Sequence, residues 1–302
     1  MSLEELSDVS IDDLRNKCRN ETARGSSREL EDILYKPIKV LDHGFIRVVD
    51  YMGTDASIVQ AARVSYGRGT KKTQEDQGLI NYLMRHGHTT PFEMCELKLH
   101  VKLPIFVMRQ WIRHRTASTN EYSSRYSVLH NEFYLPEVDQ IARQSTFRRQ
   151  GKSEVPLDSA RALEILEILK CANGDAYEKY SRLLDDFSLT RELARTVLPV
   201  SIYTEMYWKI DLHNLLHFLK LRTDFHSQYE IRCYADVILG IVKRWTPCAY
   251  EAFVNYRQES VSVAGKCVDI VNRALKGESV CRENSGLSDG EWRDLTETFH
   301  LE

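Results

Sequence analysis

The chain has 302 residues, of which 42% are hydrophobic and 28% charged, with a formal net charge of −3 at pH 7. That length allows one large core or two modest ones, and that balance excludes a disordered or fibrous chain. The lack of a basic excess argues against a dedicated nucleic-acid binder, although a local basic cluster exists inside the near-neutral whole.

Residues 1–35 are rich in charge, Ser and Asn and read as a flexible polar leader with at most a short helix. The opening stretch MSLEELSDVSIDDLR lacks the apolar core of a signal peptide. From Val40 to Tyr51, Phe45, Arg47 and Val49 alternate with Ile46 and Val48, which predicts a strand or hairpin around Asp42-His43-Gly44. Asp55 is placed to cap a helix running through Ala61, Ala62 and Val64 and ending near Gly67. A second helix is expected from Glu75 to His86, with Gly87 where a left-handed cap is wanted.

The plainest strand is Glu93 to Leu103. Leu97, Leu99, Val101 and Leu103 share one face, and Glu96, Lys98, His100 and Lys102 share the other. Pro104 stops the strand and sits well in the first turn of a helix from Ile105 to about Arg115. Further helices are expected at 159–186, 190–198, 212–222 and 229–244. Residues 260–302 turn polar again. The expected fold is therefore α+β: a single domain, 36–257, with a twisted, mainly antiparallel sheet flanked by helices. The leader precedes it, and a peripheral C-terminal extension, 258–302, follows.

The seven cysteines are scattered and form no C-x-x-C pair, so reduced thiols in a cytoplasmic protein are expected. No apolar run approaches ~18 residues, so no membrane partner is expected.

Residues 109–126 read RQWIRHRTASTNEYSSRY. On a helix from Pro104, Arg109 and Arg113 lie four apart, and Gln110 and Arg113 three apart, so they share a face. Thr116, Ser118, Thr119, Ser123 and Ser124 follow as loop-forming hydroxyl residues suited to oxygen ligands. Arginine matches phosphate because its planar fork meets two oxygens at once. Charge content alone fits a solvated basic face equally well. Trp111 and Ile112 between the charges favour a half-buried helix whose arginines line a cleft.

Arg113-His114-Arg115, seven residues and then Ser123 resemble the RHR-x7-S signature of flavin-dependent thymidylate synthases, and Asn120, Glu121, Arg125 and Tyr126 extend the match. Four other segments resemble the family in its order. They are Ala61 to Ser65, Gly87 to Glu93, Ala194-Arg195 before Val197-Leu198-Pro199, and Leu221-Arg222 followed by Asp224 and His226-Ser227-Gln228. The resemblance covers roughly residues 36–257.

It implies a methyltransferase that turns dUMP into dTMP, with methylenetetrahydrofolate as carbon donor and FAD reduced by NADPH as hydride source. It also implies a homotetramer with sites shared between subunits. By the same resemblance Arg113, His114, Arg115, Ser65, His88, Thr90, Glu121, Asp211, His213, His217 and His226 would contact FAD. Gln110, Arg113, Glu121, Tyr122, Ser123, Ser124, Arg125, Arg195 and Arg222 would hold dUMP. Arg222 would be the catalytic residue, favouring the anionic form of N3 of the uracil.

Ser123 is assigned to binding, since a serine nucleophile needs an adjacent base and none is legible. The cysteine-dependent thymidylate synthases need a thiolate. Cys248 follows Pro247, but Ala249 stands where a histidine would be expected, and Tyr250 to Phe253 read as an amphipathic helix around a packed thiol. His213 and His217 have the spacing of a helical zinc pair, but Asn214 replaces the glutamate of the metalloprotease motif, so no metal is expected. The reading from another class is a non-catalytic protein that binds RNA or nucleotide phosphate through residues 109–125.

Overall fold

The structure is a computed structural model that describes residues 24–64, 73–144 and 152–300. Its elements run α1 (Arg28–Glu31), β1 (Pro37–Val40), β2 (Gly44–Met52), α2 (Asp55–Val64), α3 (Thr73–His86), α4 (Thr90–Glu93), β3 (Glu96–Pro104), α5 (Ile105–Trp111) and β4 (Ser118–Glu121). Then come β5 (Ala142–Gln144), β6 (Lys152–Pro156), α6 (Ser159–Asp185), α7 (Arg191–Ala194), β7 (Tyr203–Asp211), α8 (Leu212–Arg222), α9 (Tyr229–Trp245) and α10 (Pro247–Phe253). Past Phe253 lie α11 (Gly265–Leu275), α12 (Arg282–Ser285) and α13 (Asp289–Phe299).

The main sheet has the order β1-β2-β3-β7-β4, with every neighbouring pair antiparallel. Flanked by helices, this is the expected α+β architecture. The hairpin turns at Gly44, where a Cβ would meet the Tyr234 hydroxyl at 2.0 Å and the Val40 carbonyl at 2.6 Å, so only glycine fits. At the end of α3, the His88 N–H reaches the Leu83 carbonyl and the Gly87 N–H the Met84 carbonyl, with Gly87 at φ +71°. That is a Schellman cap.

One face of β3 is apolar, as its alternation demands. Leu97, Leu99, Val101 and Leu103 are fully buried and lie alongside Met206, Trp208 and Ile210 of β7. Trp111 packs edge-on to Trp208 at 5.1 Å and against Phe218 at 4.8 Å, which anchors α5 and α8 on this face.

Several expectations need correction. The polar face of β3 is not solvated throughout: His100 and Lys102 are buried, and their polar groups have partners. Lys102 pairs with Glu132 at 2.5 Å, and His100 lies 2.7 Å from both Arg47 and Glu205. Burying these groups is tolerable only because each is paired. The strand β7 was not anticipated at all. Nor was β4, whose Ser118 to Glu121 form an edge strand where a loop was expected. The helix α5 stops at Trp111, about four residues early, so Arg113 lies beyond it and does not share a helical face with Arg109. Gly67, expected near the end of α2, lies outside the described residues.

Asp55 opens α2, but its carboxylate caps a different helix. Its two oxygens accept the N–H groups of Cys248 and Ala249 at 2.9 and 3.0 Å, in the first turn of α10. Burial raises the Asp55 pKa, and those two bonds oppose the rise.

The chain divides into a unit reaching to Phe253 and a second unit from Val254 to Glu302. The second has its own small core of Cys267, Ile270 and Leu295 from its helices and Leu287 from the loop between the last two. The polar tail is thus folded, and Ser288 and Glu291 form a capping box at the start of α13.

Replacing Asp55 with Ala removes the side-chain acceptors at the start of α10 and should cost about 1–2 kcal/mol. Thermal unfolding should show a fall in Tm of several degrees, and an unchanged Tm would contradict this account of the cap.

Candidate active site

The site is built where α5, β4, α7 and α8 end or begin. The backbone carbonyl of Gln110, in the last turn of α5, accepts from the Arg222 guanidinium at 3.3 Å at the end of α8. Such last-turn carbonyls have no partner within their own helix, and a cation supplied from elsewhere satisfies them well. Arg222 is half-buried, burial holds its pKa below the usual arginine range, and no carboxylate pairs with it among the described residues. Its charge therefore stays available to a ligand. The Gln110 side-chain amide donates to the Gln228 carboxamide at the start of α9.

A second group gathers at the turn after β4. The Ser123 carbonyl accepts the N–H groups of Tyr126 and Ser127, both at 3.1 Å, and so folds the turn. Arg195 donates to the Ser124 hydroxyl at 2.5 Å, Arg125 pairs with Glu192 at 3.2 Å, and Arg191 bonds the Tyr126 carbonyl. Glu121 accepts from Thr204 at 3.0 Å, and the Tyr122 N–H from the same strand end bonds the Glu205 carbonyl at 2.8 Å. Hydroxyls, amides and guanidinium groups thus converge on a surface suited to an oxyanion.

A third group is aromatic. The His114 ring lies 5.3 Å from that of His217 and edge-on to Phe218 at 5.6 Å, with Thr116 at 3.3 Å from its Nε2. Burial lowers the His114 pKa, and the charges of His217 and Arg222 lower it further. It is neutral at pH 7. Arg113 and Arg115 are exposed and make no ion pair among the described residues.

Of the other expected residues, Asp211 borders the third group, near enough for its charge to oppose the lowering of the His114 pKa. Asp211 is the N-cap of α8, accepting from the Asn214 backbone at 2.9 Å and its side chain at 2.7 Å. It sits about 16 Å from Arg222, the length of eleven helical residues, with His213 in the first turn between them. His88 stacks on Tyr82 at 5.9 Å, and Thr90 opens α4, which packs against α8. His226 is held by Asp224 at 2.9 Å. Ser65 lies outside the described residues. Among the described residues no group of three His, Cys, Asp or Glu side chains could hold a metal.

Sequence reasoning passed over Gln228, although it stands in a segment that carried the resemblance. It also passed over Arg191 and Glu192, which pair across more than sixty residues and leave no local signal.

An α+β fold that presents converging arginines, hydroxyls and a neutral imidazole defines a protein that handles nucleotide phosphates. Residues 47–248 match the family model described as thymidylate synthase complementing protein. The chain is 57% identical to the flavin-dependent thymidylate synthase of Wolbachia pipientis wMel over 274 residues, 91% of this chain and 96% of that one. It is 53% identical to that of Ruegeria pomeroyi over 302 residues, 99% of each. The chain belongs to the flavin-dependent thymidylate synthase family. Among solved structures it resembles the UMP/dUMP methylase PolB of Streptomyces cacaoi bound with 5-Br dUMP, with TM-score 0.66 and 33% identity over 74% of this chain and 100% of that one. A second PolB structure, with 5-Br UMP, matches at TM-score 0.64 and 34% identity, over 74% of this chain and 99% of that one.

Because the folded-state pKa of His114 lies below its unfolded value, the unfolded chain takes up more protons as pH falls below about 6.5. Stability linked to His114 is therefore complete above that pH and lost below it. His114→Gln should shrink the drop in Tm between about pH 7.5 and about pH 5.5. An equal drop in both proteins would refute the buried-imidazole assignment.

Proposed function

We propose that the surface around Gln110, Ser124, Arg195 and Arg222 is where this flavin-dependent thymidylate synthase converts dUMP to dTMP. The reaction consumes dUMP, methylenetetrahydrofolate, NADPH and a proton, and yields dTMP, tetrahydrofolate and NADP⁺. A bond forms between C5 of the uracil and the folate's methylene carbon, the two bonds from that carbon to the folate nitrogens break, the C5 proton is lost, and a hydride completes the methyl group. The observation that carries this reading is Arg222, a half-buried guanidinium held, among the described residues, by the Gln110 carbonyl and by no carboxylate. Facing the uracil ring, its charge favours the anionic form of N3 and so raises electron density at C5.

Arg195, Ser123, Ser124 and Arg125, with Tyr122 and Arg113, hold the phosphate and sugar. Glu192 must release Arg125 for this, a small cost because both side chains are more than half exposed. Ser123 binds and does not attack, since no base touches its hydroxyl among the described residues. Glu121 is held by Thr204 at the edge of the same surface.

FAD, when bound, relays the hydride that NADPH provides. The donor set fits it. Arg113 and Arg115 are free to meet a pyrophosphate, while the neutral His114 and the exposed His217 offer imidazole faces and ring nitrogens to the cofactor's rings. Ser65, His88, Thr90, Asp211, His213 and His226 complete the proposed FAD contacts. Asp211 reaches FAD only with what its capping bonds leave free.

Cys248 supports a route without a cysteine nucleophile. Burial, then the charge of Asp55, pushes its thiol up to about 11, so it is not a thiolate at neutral pH. The RNA-binding reading finds no support, since its arginines are partly engaged within the protein and the family is that of a nucleotide-modifying enzyme.

The catalytic domain is proposed to end near residue 257, with 258–302 an appended extension. A homotetramer with shared sites is proposed too. Exposed Leu163, Ile168 and Phe187 offer apolar surface for such contacts. The proposed compartment is the cytoplasm, in keeping with free thiols at Cys95, Cys171, Cys233, Cys248, Cys267 and Cys281.

Purified protein should be yellow and should release tritium from 5-tritiated dUMP when the folate and NADPH are present. Arg222→Ala should lower that release by ~10²-fold or more while flavin absorption is retained, and Cys248→Ala should leave it within about threefold of wild type. A protein that takes up no flavin, or that depends on Cys248, would overturn the reading.

A further inference from the structure

We infer that Gln228 is a positioning residue that sets the side-chain orientation of Gln110 and thereby the binding of the nucleotide beside Arg222. The inference rests on the proposal that this surface is the dUMP site.

Gln228 occupies the N-cap of α9, with φ −55° and ψ 136°, yet its side chain makes no capping bond. Ser, Thr, Asp and Asn are favoured there because their short side chains place an oxygen on the N–H groups of the first turn. Glutamine is longer by one methylene than asparagine and does this poorly. A residue that local helix physics does not select therefore stands at the start of a 17-residue helix. Its carboxamide oxygen instead accepts from the Gln110 amide, 118 positions upstream.

Gln110 is consequently held twice, by its side chain to Gln228 and by its backbone carbonyl to Arg222 at 3.3 Å. With one amide N–H committed to Gln228, the carboxamide is fixed in one of its two flipped states. Its own oxygen then points away from α9 as a ready acceptor. Freed from Gln228, the amide would rotate, and the nucleotide would have to order it on binding. The loss should therefore appear in binding more than in turnover.

The test uses the full-length enzyme. Wild type must first show flavin and tritium release, since their absence would sink the site proposal itself and not this inference. Gln228→Ser keeps a good helix cap but cannot reach Gln110, and Gln228→Asn serves as the second variant should serine prevent folding. The expected result is a KM for dUMP raised about tenfold, the loss of roughly one hydrogen bond, with kcat within about twofold and Tm and flavin content unchanged. Gln228→Glu, which retains an acceptor of the right length, should restore most of the affinity. In a Gln110→Ala background, Gln228→Ser should add nothing, because one acts through the other. A wild-type KM in Gln228→Ser, or a further tenfold loss in the Gln110→Ala background, would overturn the inference.

Discussion

The pairing of β3 with β7 is the constraint on which the rest of the structure depends. Nine consecutive residues face one another, from Glu96 opposite Asp211 to Pro104 opposite Tyr203. Because the pair is antiparallel, the chain leaves β3 and β7 at opposite ends of a ladder roughly 30 Å long. Pro104 turns the first exit into α5 and Asp211 caps the second into α8. The helices span roughly 10 Å and 16 Å, so together they nearly traverse the ladder. Their last turns meet where Arg222 bonds the Gln110 carbonyl. The site thus arises from strand register: a two-residue slip would carry the helix ends apart.

The same pairing sorts the two faces of the sheet by chemistry. Inward positions bring Leu97, Leu99 and Val101 beside Met206, Trp208 and Ile210, and Trp111 closes over them. Outward positions line up Arg47, His100 and Tyr207 across three strands. A guanidinium can only donate, so Nδ1 of His100 accepts from Arg47 and Nε2 carries the proton toward Glu205. Burial would raise the Glu205 pKa, but the His100 bond and nearby positive charge outweigh it and keep the carboxylate ionised. The Glu205 carbonyl in turn receives the Tyr122 N–H, so the buried polar row and the turn after β4 share one residue.

What was legible in the sequence divides along physical lines. Elements with strong periodicity and clear punctuation were found: α6, α8 and α9 within a residue or two, and the Gly87 cap by its type. Strand β7 went unread although Met206, Trp208 and Ile210 alternate with Glu205, Tyr207 and Lys209, because Tyr207 makes the outer face look apolar. The covered polar face of β3 was invisible for another reason. Nothing local announces that Glu132 and Glu205 will arrive to pair with Lys102 and His100. Asp55 shows the limit most plainly, since its type predicts a cap but not which helix it caps. In the candidate site, the motifs singled out Arg195 and Arg222. They could not show that Arg125 is held by Glu192, or that Asp211 is occupied as a cap.

Among the described residues no carboxylate pairs with Arg222, and the proposed role of this group turns on that. A buried ion pair would neutralise the guanidinium and hold it in one geometry, and a ligand would have to break that pair before using the charge. A backbone carbonyl at the negative end of α5 orients the group while leaving its net charge intact. Partial burial then strengthens whatever that charge faces, because fewer waters screen it. The cost is a lowered affinity of Arg222 for its own proton, which a group with so high an ordinary pKa tolerates without losing charge near neutrality. Lysine could not serve equally in the proposed role, since its single ammonium cannot hold the carbonyl with one N–H while presenting a planar edge to a ligand ring. The two-helix junction, and not any single motif, sets the surroundings from which that role is proposed.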